Sequence, residues 1–318
     1  MVKKKGNICI IGKGSIGIRH GKILNKEGYN IFFLRKKNKK QKIKTNYNHR
    51  EITKIDQIKK NRIDLFIITN PTSEHIKTLL KIKKKNLNVL VEKPIISSEK
   101  ELDVIKKLYV KFKMNIFSGY QLRYDSRIIF IKKFILKKIK KIRYSSFKLK
   151  TFLPNWHPWE NFKSSYASQK KLGGGVLLTC SHEIDLANYF FGEAKSVFCI
   201  KTKSKLKTRN VENSVLLIIK HKNNIVTNIN LDFSFKNTEE RGFEITLDDQ
   251  EIKCDLKKKE LLLLNNFFCK KINTNASLNR DSLFKKQNLS ILNKIKRRSK
   301  KVKFGDLIAT EKIIFAAK

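Results

Sequence analysis

Residues 7–20 have the sequence NICIIGKGSIGIRH. An apolar run, Ile8–Ile11, leads into three glycines spaced as Gly12-x-Gly14-x-x-Gly17, and a helix-compatible segment begins among them. The order is therefore strand, tight turn and helix. In a dinucleotide-binding turn the first glycine permits the turn, the second lets backbone approach a pyrophosphate, and the third lets the helix pack closely on the strand. We predict such a turn here, with an ordinary glycine-containing turn as the alternative.

The start of the following helix is predicted to complete a phosphate site. Ser15 and Ile16 lie where this helix begins, beside Gly17. The first N–H groups of a helix have no partner within it, and the helix dipole places partial positive charge at this end. We therefore count Ser15 and Ile16, with the three glycines, as cofactor-binding residues.

Length and composition predict a folded protein of two domains. A chain of 318 residues is long for one hydrophobic core, and 40% of its residues are hydrophobic. No apolar run approaches the roughly 18 residues that span a bilayer. Lys3–Lys5 precede an apolar run of only four residues, Ile8–Ile11, which is too short for a signal peptide. We expect no membrane insertion and a cytoplasmic protein.

Cysteine usage agrees with a reducing compartment. The five cysteines are an odd number, widely scattered, and no two form a Cys-x-x-Cys pair. Such spacing predicts neither a disulfide framework nor a zinc site. We expect reduced thiols and no bound metal.

The net charge of +45 invites comparison with nucleic-acid-binding proteins. Only 12 of the 72 basic residues are arginines, however, and the lysines are spread through almost every segment. Nucleic-acid readers concentrate positive charge on one face and use arginine for bidentate contacts. The runs Lys36–Lys44 and Lys294–Lys303 are candidate anion-binding patches, but a solvated surface explains them as well. We predict no specific nucleic-acid partner.

The end of the second predicted strand, Asn30–Leu34, bears on cofactor choice. A carboxylate about twenty residues beyond the glycines usually binds the ribose 2′-hydroxyl of NAD. This chain has Arg35 there, followed by lysines. A cation suits a 2′-phosphate, so Arg35 favours NADP over NAD, although the general lysine excess offers another explanation.

The next segments alternate between strands and helices. We predict strands over Asp64–Thr69, Asn88–Val91 and Met114–Ser118, and helices over Glu74–Lys85 and 98–112. This alternation predicts a parallel sheet whose ligands bind at the carboxyl ends of the strands. Asn70, Pro71, Glu92 and Lys93 all follow such ends. Glu92 is placed to orient Lys93, and a cationic nicotinamide nearby would lower the pKa of that lysine, making it a usable proton donor. A solvated lysine is the alternative.

From residue 121 the pattern changes to that of a second domain. A helical segment, Arg123–Lys140, is followed by short segments of period two with hairpin-like breaks, which predict an antiparallel sheet. We therefore divide the chain into a dinucleotide-binding domain, 1–120, and a substrate-binding and oligomerisation domain, 121–318.

Two stretches of the second domain carry candidate functional residues. Trp156 and His157 belong to a rigid aromatic loop, WHPW, and a triple glycine, 173–175, allows close backbone approach, for example to a ligand. His182 follows on a helix predicted to stop at Gly192. His182 suits proton transfer, while a buried structural histidine is the alternative.

Six stretches of the chain closely resemble the Gfo/Idh/MocA oxidoreductases. They are GKGSIGIRH (12–20), NPTSEH (70–75), EKP (92–94), GYQLRYD (119–125), GGGVLLTCSHEIDLANYFFGE (173–193) and the closing FGDLIATEKIIFAAK (304–318). The resemblance implies an α/β protein: an N-terminal Rossmann domain with a parallel sheet, and a C-terminal α/β domain with an open, mainly antiparallel sheet and a C-terminal helix. It also implies NAD(P)-dependent hydride transfer on a sugar or cyclitol hydroxyl, and homo-oligomers formed through the sheet.

The resemblance also assigns roles. Lys93 matches the active-site lysine of the family and His182 its catalytic histidine, while Asn70 and Pro71 would line the dinucleotide. Many relatives carry an aspartate four residues before the histidine, where this chain has Leu178. The short form ending SHEID resembles members associated with surface-glycan biosynthesis.

We therefore expect an NAD- or NADP-dependent dehydrogenase or reductase acting on a carbohydrate, such as a nucleotide-activated sugar. Arg123, Trp156 and His157 are candidate substrate contacts, with structural roles as the alternative. The competing hypothesis is a dinucleotide-binding regulator without catalysis, which the missing aspartate permits.

Overall fold

The computed structural model describes residues 5–35, 45–57, 63–156, 161–202, 206, 208, 210–274 and 279–318. The chain forms two compact units. The first consists of Met1–Gln121 with Asn279–Ile308, and the second of Leu122–Leu278 with Ala309–Lys318.

The described strands are numbered in chain order as β1 (Asn7–Ile11), β2 (Asn30–Leu34), β3 (Arg50–Ile52), β4 (Leu65–Ile68), β5 (Asn88–Val91), β6 (Asn115–Ser118), β7 (Ile142–Lys150), β8 (Ala194–Thr202), β9 (Ser214–His221), β10 (Val226–Asp232), β11 (Glu240–Leu247), β12 (Glu251–Asp255), β13 (Glu260–Leu264) and β14 (Cys269–Lys271). The described α-helices are α1 (Ser15–Lys26), α2 (His75–Ile82), α3 (Leu102–Val110), α4 (Ser126–Leu136), α5 (Val176–Thr179), α6 (Ser181–Phe191), α7 (Arg280–Lys296), α8 (Phe304–Leu307) and α9 (Ala309–Ala316).

The first unit is built on a parallel sheet with the strand order β3-β2-β1-β4-β5-β6. Apart from Asn7, the side chains of its central strands β1 and β4 are apolar and buried, although they alternate between the two faces. This burial requires cover on both faces, as in the α/β class that the sequence predicted. The strand order reverses beside β1, so the glycine turn lies at the switch point where such sheets bind ligands.

Helix α7 corrects the predicted domain boundary. The sequence assigned residues 279–308 to the second domain, because they follow its strands along the chain. Instead, α7 packs on α1, and Ile291 and Leu292 join the core cluster that contains Ile8 and Leu24. Burying this apolar stripe against the sheet of the first unit stabilises the fold, and local periodicity cannot reveal which sheet the stripe meets.

The second unit is built on an eight-stranded sheet with the order β14-β13-β12-β11-β7-β10-β9-β8. Neighbouring strands are antiparallel except β7 and β10, which are parallel, so the prediction of a mainly antiparallel sheet is confirmed. Helices α5 and α6 pack on one face, and α9 packs on α6. The opposite face carries exposed apolar side chains on adjacent strands, namely Tyr144, Phe198, Ile200, Ile218 and Val226.

Predicted and observed boundaries differ where capping groups intervene. β2 and β5 have the predicted bounds, but the helix expected from Arg123 begins only at Ser126. Asp125 precedes it in extended conformation, and its carboxylate accepts a hydrogen bond from the Arg127 N–H, which caps the helix. In the described part of the chain, no helix has the length and apolarity needed to cross a bilayer.

The packing of α7 leads to a stability prediction. Ile291 is 2% exposed within the core of the first unit, so Ile291→Ala should lower the free energy of unfolding by about 2 to 4 kcal/mol through lost burial and a residual cavity. Urea denaturation, monitored by circular dichroism rather than by tryptophan fluorescence, measures the change. Lys286→Ala, at an exposed position of the same helix, is the control. Equal stability of both variants and the parent would contradict this placement of α7.

Candidate active site

The three glycines of the first turn have different steric surroundings. A side chain on Gly17 would overlap the Gly12 carbonyl oxygen, so this glycine lets α1 sit directly on the turn. Gly12 has φ +108°, and a Cβ there would lie 2.7 Å from the Asn70 nitrogen. A Cβ on Gly14 would meet nothing within 4 Å. Gly12 and Gly17 therefore satisfy packing within the protein, whereas Gly14 keeps an open surface bare, as close approach of a pyrophosphate requires.

The beginning of α1 can accept an anion. Gly14 is its N-cap residue and supplies no side-chain cap, and the first turn contains no acidic residue. The N–H groups of Ser15, Ile16 and Gly17 belong to this first turn, where a helix has no internal acceptors. A dinucleotide pyrophosphate fits this arrangement, because it supplies the acceptors and the negative charge that the helix end lacks.

The end of β4 is tied to the glycine turn. The Thr69 hydroxyl donates to the Gly12 carbonyl at 2.8 Å. The Asn70 amide donates to the Thr78 hydroxyl on α2 at 2.8 Å, which fixes the predicted cofactor-binding side chain. Asn70 and Pro71 therefore stand at the carboxyl edge of the sheet beside the glycine turn, as the sequence predicted.

His75 belongs to the NPTSEH motif, but the sequence predicted no role for it. It is buried, with Nε2 2.9 Å from the Asn70 carbonyl and Nδ1 3.0 Å from the Pro94 carbonyl. Burial lowers the pKa of His75, while the surrounding backbone carbonyls act in the opposite direction. The ring thus joins the loop after β4 to the turn that contains Lys93. Its position as the last residue of NPTSEH was the available signal.

Glu92 contacts a buried histidine of α1 as well as the backbone of Lys93. Its Oε1 lies 3.0 Å from Nε2 of the fully buried His20, whose Nδ1 lies 3.1 Å from the Asn288 side-chain oxygen. The backbone N–H of Lys93 donates to Glu92 Oε2 at a long 3.4 Å. Through His20 and Asn288, Glu92 links the backbone of the Lys93 turn to α1 and α7.

Arg35 lies in an ion-pair cluster at the end of β2. Its Nη1 lies 2.7 Å from Glu51 Oε2, and Lys13 Nζ lies 2.6 Å from Glu51 Oε1. The hydrogen bond from Lys13, reinforced by Arg35, lowers the pKa of Glu51 to about 2. Sequence reasoning missed both Lys13 and Glu51, since Glu51 belongs to a three-residue strand without an apolar run.

In the second unit, His182 lies in the first turn of α6 and is 6% exposed. One turn later, the fully buried Asp185 accepts two hydrogen bonds from Arg123, at 2.9 Å from Nε and 2.5 Å from Nη2. The Thr310 hydroxyl on α9 also donates to Asp185, at 3.0 Å. Burial raises the pKa of Asp185, while Arg123 acts in the opposite direction. Arg123, predicted as a substrate contact, thus fixes the helix that carries His182.

Glu183, the other carboxylate beside His182, is also paired. Its Oε1 lies 2.7 Å from Arg241 Nε on β11, and its side chain is 2% exposed. Burial alone would lower the pKa of Arg241, but the Glu183 carboxylate raises it overall. Leu178, at the position of the family aspartate, is buried on α5. Both acidic neighbours of His182 are therefore engaged by arginines.

The remaining predicted contacts have structural surroundings. Trp156 donates from Nε1 to the Thr151 hydroxyl at 2.8 Å and packs edge-on against Phe233. His157 lies outside the described residues. At the triple glycine, the segment that approaches the backbone closely belongs to the protein itself. A Cβ on Gly174 would lie 2.6 Å from the Ala167 carbonyl oxygen. Among the described residues, no three His, Cys, Asp or Glu side chains group as a metal site would require.

Comparison with known proteins agrees with this arrangement. Residues 6–120 match the model described as "Oxidoreductase family, NAD-binding Rossmann fold", and residues 147–253 match the GFO/IDH/MocA C-terminal domain. No curated protein matches the sequence significantly.

Several solved structures share the fold at low sequence identity. An NAD-binding oxidoreductase from Klebsiella pneumoniae is 12% identical, with a TM-score of 0.81 and coverage of 98% of this chain and 95% of that one. Levoglucosan dehydrogenase in complex with NADH and levoglucosan is 14% identical, with a TM-score of 0.83 and coverage of 98% and 96%. UDP-N-acetylglucosamine 3-dehydrogenase from Acidithiobacillus ferrooxidans is 16% identical, with a TM-score of 0.76 and coverage of 98% and 95%.

The two family matches take in more than half of the chain, and the glycine turn they contain has the geometry of a dinucleotide site. The chain therefore belongs to the Gfo/Idh/MocA family of NAD-binding oxidoreductases.

Proposed function

We propose that this protein transfers hydride between a nicotinamide cofactor and a sugar or nucleotide-sugar substrate, interconverting a hydroxyl group and a ketone. The observation that carries the proposal is the bare Gly14 at the start of α1, on the same sheet edge as the Lys93 turn. Family membership supports it, and so do structural neighbours described as levoglucosan dehydrogenase and UDP-N-acetylglucosamine 3-dehydrogenase. The SHEID segment extends the proposal to substrates of surface-glycan biosynthesis.

Two residues of this chain would handle the proton. In the oxidative direction His182 takes the proton of the substrate hydroxyl, while Lys93 stabilises the developing alkoxide with its positive charge. The nicotinamide cofactor, when bound, supplies the acceptor for the hydride that leaves the carbon bearing this hydroxyl group. In reduction the proton returns to the oxygen. The His20–Glu92 and His75 contacts support the Lys93 turn, and the Asp185–Arg123 pair supports α6, so both groups stand on braced elements.

The open sheet face supports a homo-oligomer. Exposed apolar side chains on adjacent strands form a patch of the kind that marks a protein interface. Phe198 on β8 and Ile218 on β9 lie opposite each other and are 61% and 40% exposed. We place the protein in the cytoplasm, a proposal supported by its five free cysteines.

The glycine turn yields the first functional prediction. Gly14→Ala should weaken NADH binding by about tenfold or more, because the methyl group occupies the approach to the phosphates. The folded state should lose no more than about 1 kcal/mol, since the new Cβ meets open space. Titration of NADH fluorescence and thermal melting measure the two effects. Gly305→Ala is the matched control, because its Cβ would also meet nothing within 4 Å, away from the turn. Unchanged NADH affinity in Gly14→Ala would refute the assigned role.

The catalytic assignment is tested by Lys93→Ala and His182→Ala. Each should lower kcat by about 10² to 10⁴-fold while NADH affinity stays within about threefold, because each group acts on the substrate oxygen. The assay follows NADH and NADPH oxidation over a panel of keto sugars and nucleotide keto sugars, and Lys107→Ala, exposed on α3, is the control. Retained turnover in Lys93→Ala would overturn its role. Tight NADH binding without turnover on the panel would favour the dinucleotide-binding regulator.

The oligomer proposal predicts the effect of a buried charge. Phe198→Glu should convert the assembly to monomers, because the interface would have to desolvate a carboxylate. Sedimentation velocity of the parent and the variant measures this change. Val110→Glu places the same charge at an exposed apolar position on α3, outside the sheet, and should leave the assembly intact. A monomeric parent protein would rule out the proposed interface.

A further inference from the structure

The cluster at the end of β2 combines three separate elements of the first unit. Lys13 comes from the glycine turn, Arg35 from the end of β2, and Glu51 from β3. The two cationic side chains are 8% and 15% exposed, whereas that of Glu51 is 39% exposed. The carboxylate is therefore the most accessible member of the cluster.

The geometry holds Glu51 in a defined position. β2 and β3 pair in parallel with Phe33 opposite Glu51, so Glu51 reaches the carboxyl edge of the sheet beside Arg35. Lys13 Nζ lies 5.7 Å from the centre of the Phe33 ring and 3.3 Å from His49 Nε2, besides its bond to Glu51. A carboxylate held by two cations from two directions has little freedom to rotate away.

The same contacts limit what Arg35 can do for a phosphate. Glu51 neutralises one of the two positive charges that Lys13 and Arg35 would otherwise present to a phosphate, and Arg35 is already hydrogen-bonded to it. A 2′-phosphate carries nearly two negative charges and would compete with Glu51 for the same guanidinium group. Like-charge repulsion between that phosphate and Glu51 therefore offsets much of the attraction of Arg35.

An uncharged ribose meets no such penalty. A carboxylate offers about four lone-pair sites. The two cations use one on each oxygen, and His49 Nε2 lies 3.5 Å from Oε1. The remaining sites on the accessible side can accept hydroxyl hydrogen bonds. The Lys13 hydrogen bond, with Arg35, holds the pKa of Glu51 near 2, so this acceptor is fully charged in neutral buffer.

We propose that Glu51, clamped between Lys13 and Arg35, is the carboxylate that accepts the adenosine ribose hydroxyl and makes this protein prefer NAD(H) over NADP(H). It supplies from β3 the group that dinucleotide-binding folds usually carry at the end of β2. This reverses the preference that Arg35 suggested from the sequence. The inference rests on the dinucleotide site of the proposed function, but not on its substrate or its catalytic residues.

The test measures the binding of NADH and of NADPH to the full-length Glu51→Gln protein by fluorescence titration. The amide keeps the shape of the side chain but carries no charge. Lys13 and Arg35 are then no longer neutralised by residue 51, so NADPH affinity should rise by about tenfold. NADH should bind about tenfold more weakly, because a charged acceptor is lost. The gain for NADPH should diminish in 0.5 M salt, since it is electrostatic. Glu27→Gln, which breaks the Glu27–Lys285 ion pair at the far end of α1, should leave the ratio unchanged.

A second variant covers the case in which Glu51→Gln folds poorly, as judged by thermal melting. Glu51→Asp keeps the charge but shortens the reach, so NADH should bind more weakly with no gain for NADPH. A parent protein that prefers NADPH, or a Glu51 variant with an unchanged NADH-to-NADPH ratio, would overturn the proposal. Because binding is measured without substrate, failure of the proposed catalysis would appear separately, as tight NADH binding without turnover.

Discussion

The close contact between Gly17 and the Gly12 carbonyl is the constraint on which the first unit depends. Only without a side chain at residue 17 can α1 begin directly above the turn that ends β1. The Thr69 hydroxyl donates to the same carbonyl, which adds the end of β4 to the contact. The start of α1 is thereby fixed against two central strands, and its N–H groups point from a rigid base rather than from a mobile loop.

Histidines extend this rigidity along the edge of the sheet. His20 lies on α1, only three residues after Gly17, and its bond to Glu92 connects the glycine turn to the end of β5. His75 makes the corresponding link from the end of β4 to the Pro94 carbonyl. Three successive strand ends are thus joined by side chains that are themselves buried. A ligand bound at this edge meets loops whose positions are determined by the core.

The sequence predicted those features that depend on neighbouring residues. The glycine turn, β2, β5 and the change to a second unit all follow from local spacing, and the structure has them. Features that depend on distant partners could not be predicted. Helix α7 has an apolar stripe, but its choice of the first unit is a tertiary contact. The charge of Arg35 was evident, while its neutralisation by Glu51 requires the pairing of β2 with a strand too short and polar to be recognised.

The acidic side chains beside His182 are committed to buried ion pairs. Asp185 and Glu183 are buried and paired with Arg123 and Arg241, and breaking such a pair strands a charge at a cost of about 3 to 5 kcal/mol. Neither carboxylate can leave its arginine to assist the histidine without that cost. Leu178 removes the carboxylate that many relatives place on the preceding turn. Both acidic side chains that flank His182 on α6 therefore serve to hold this helix against Arg123 and Arg241 within the second unit.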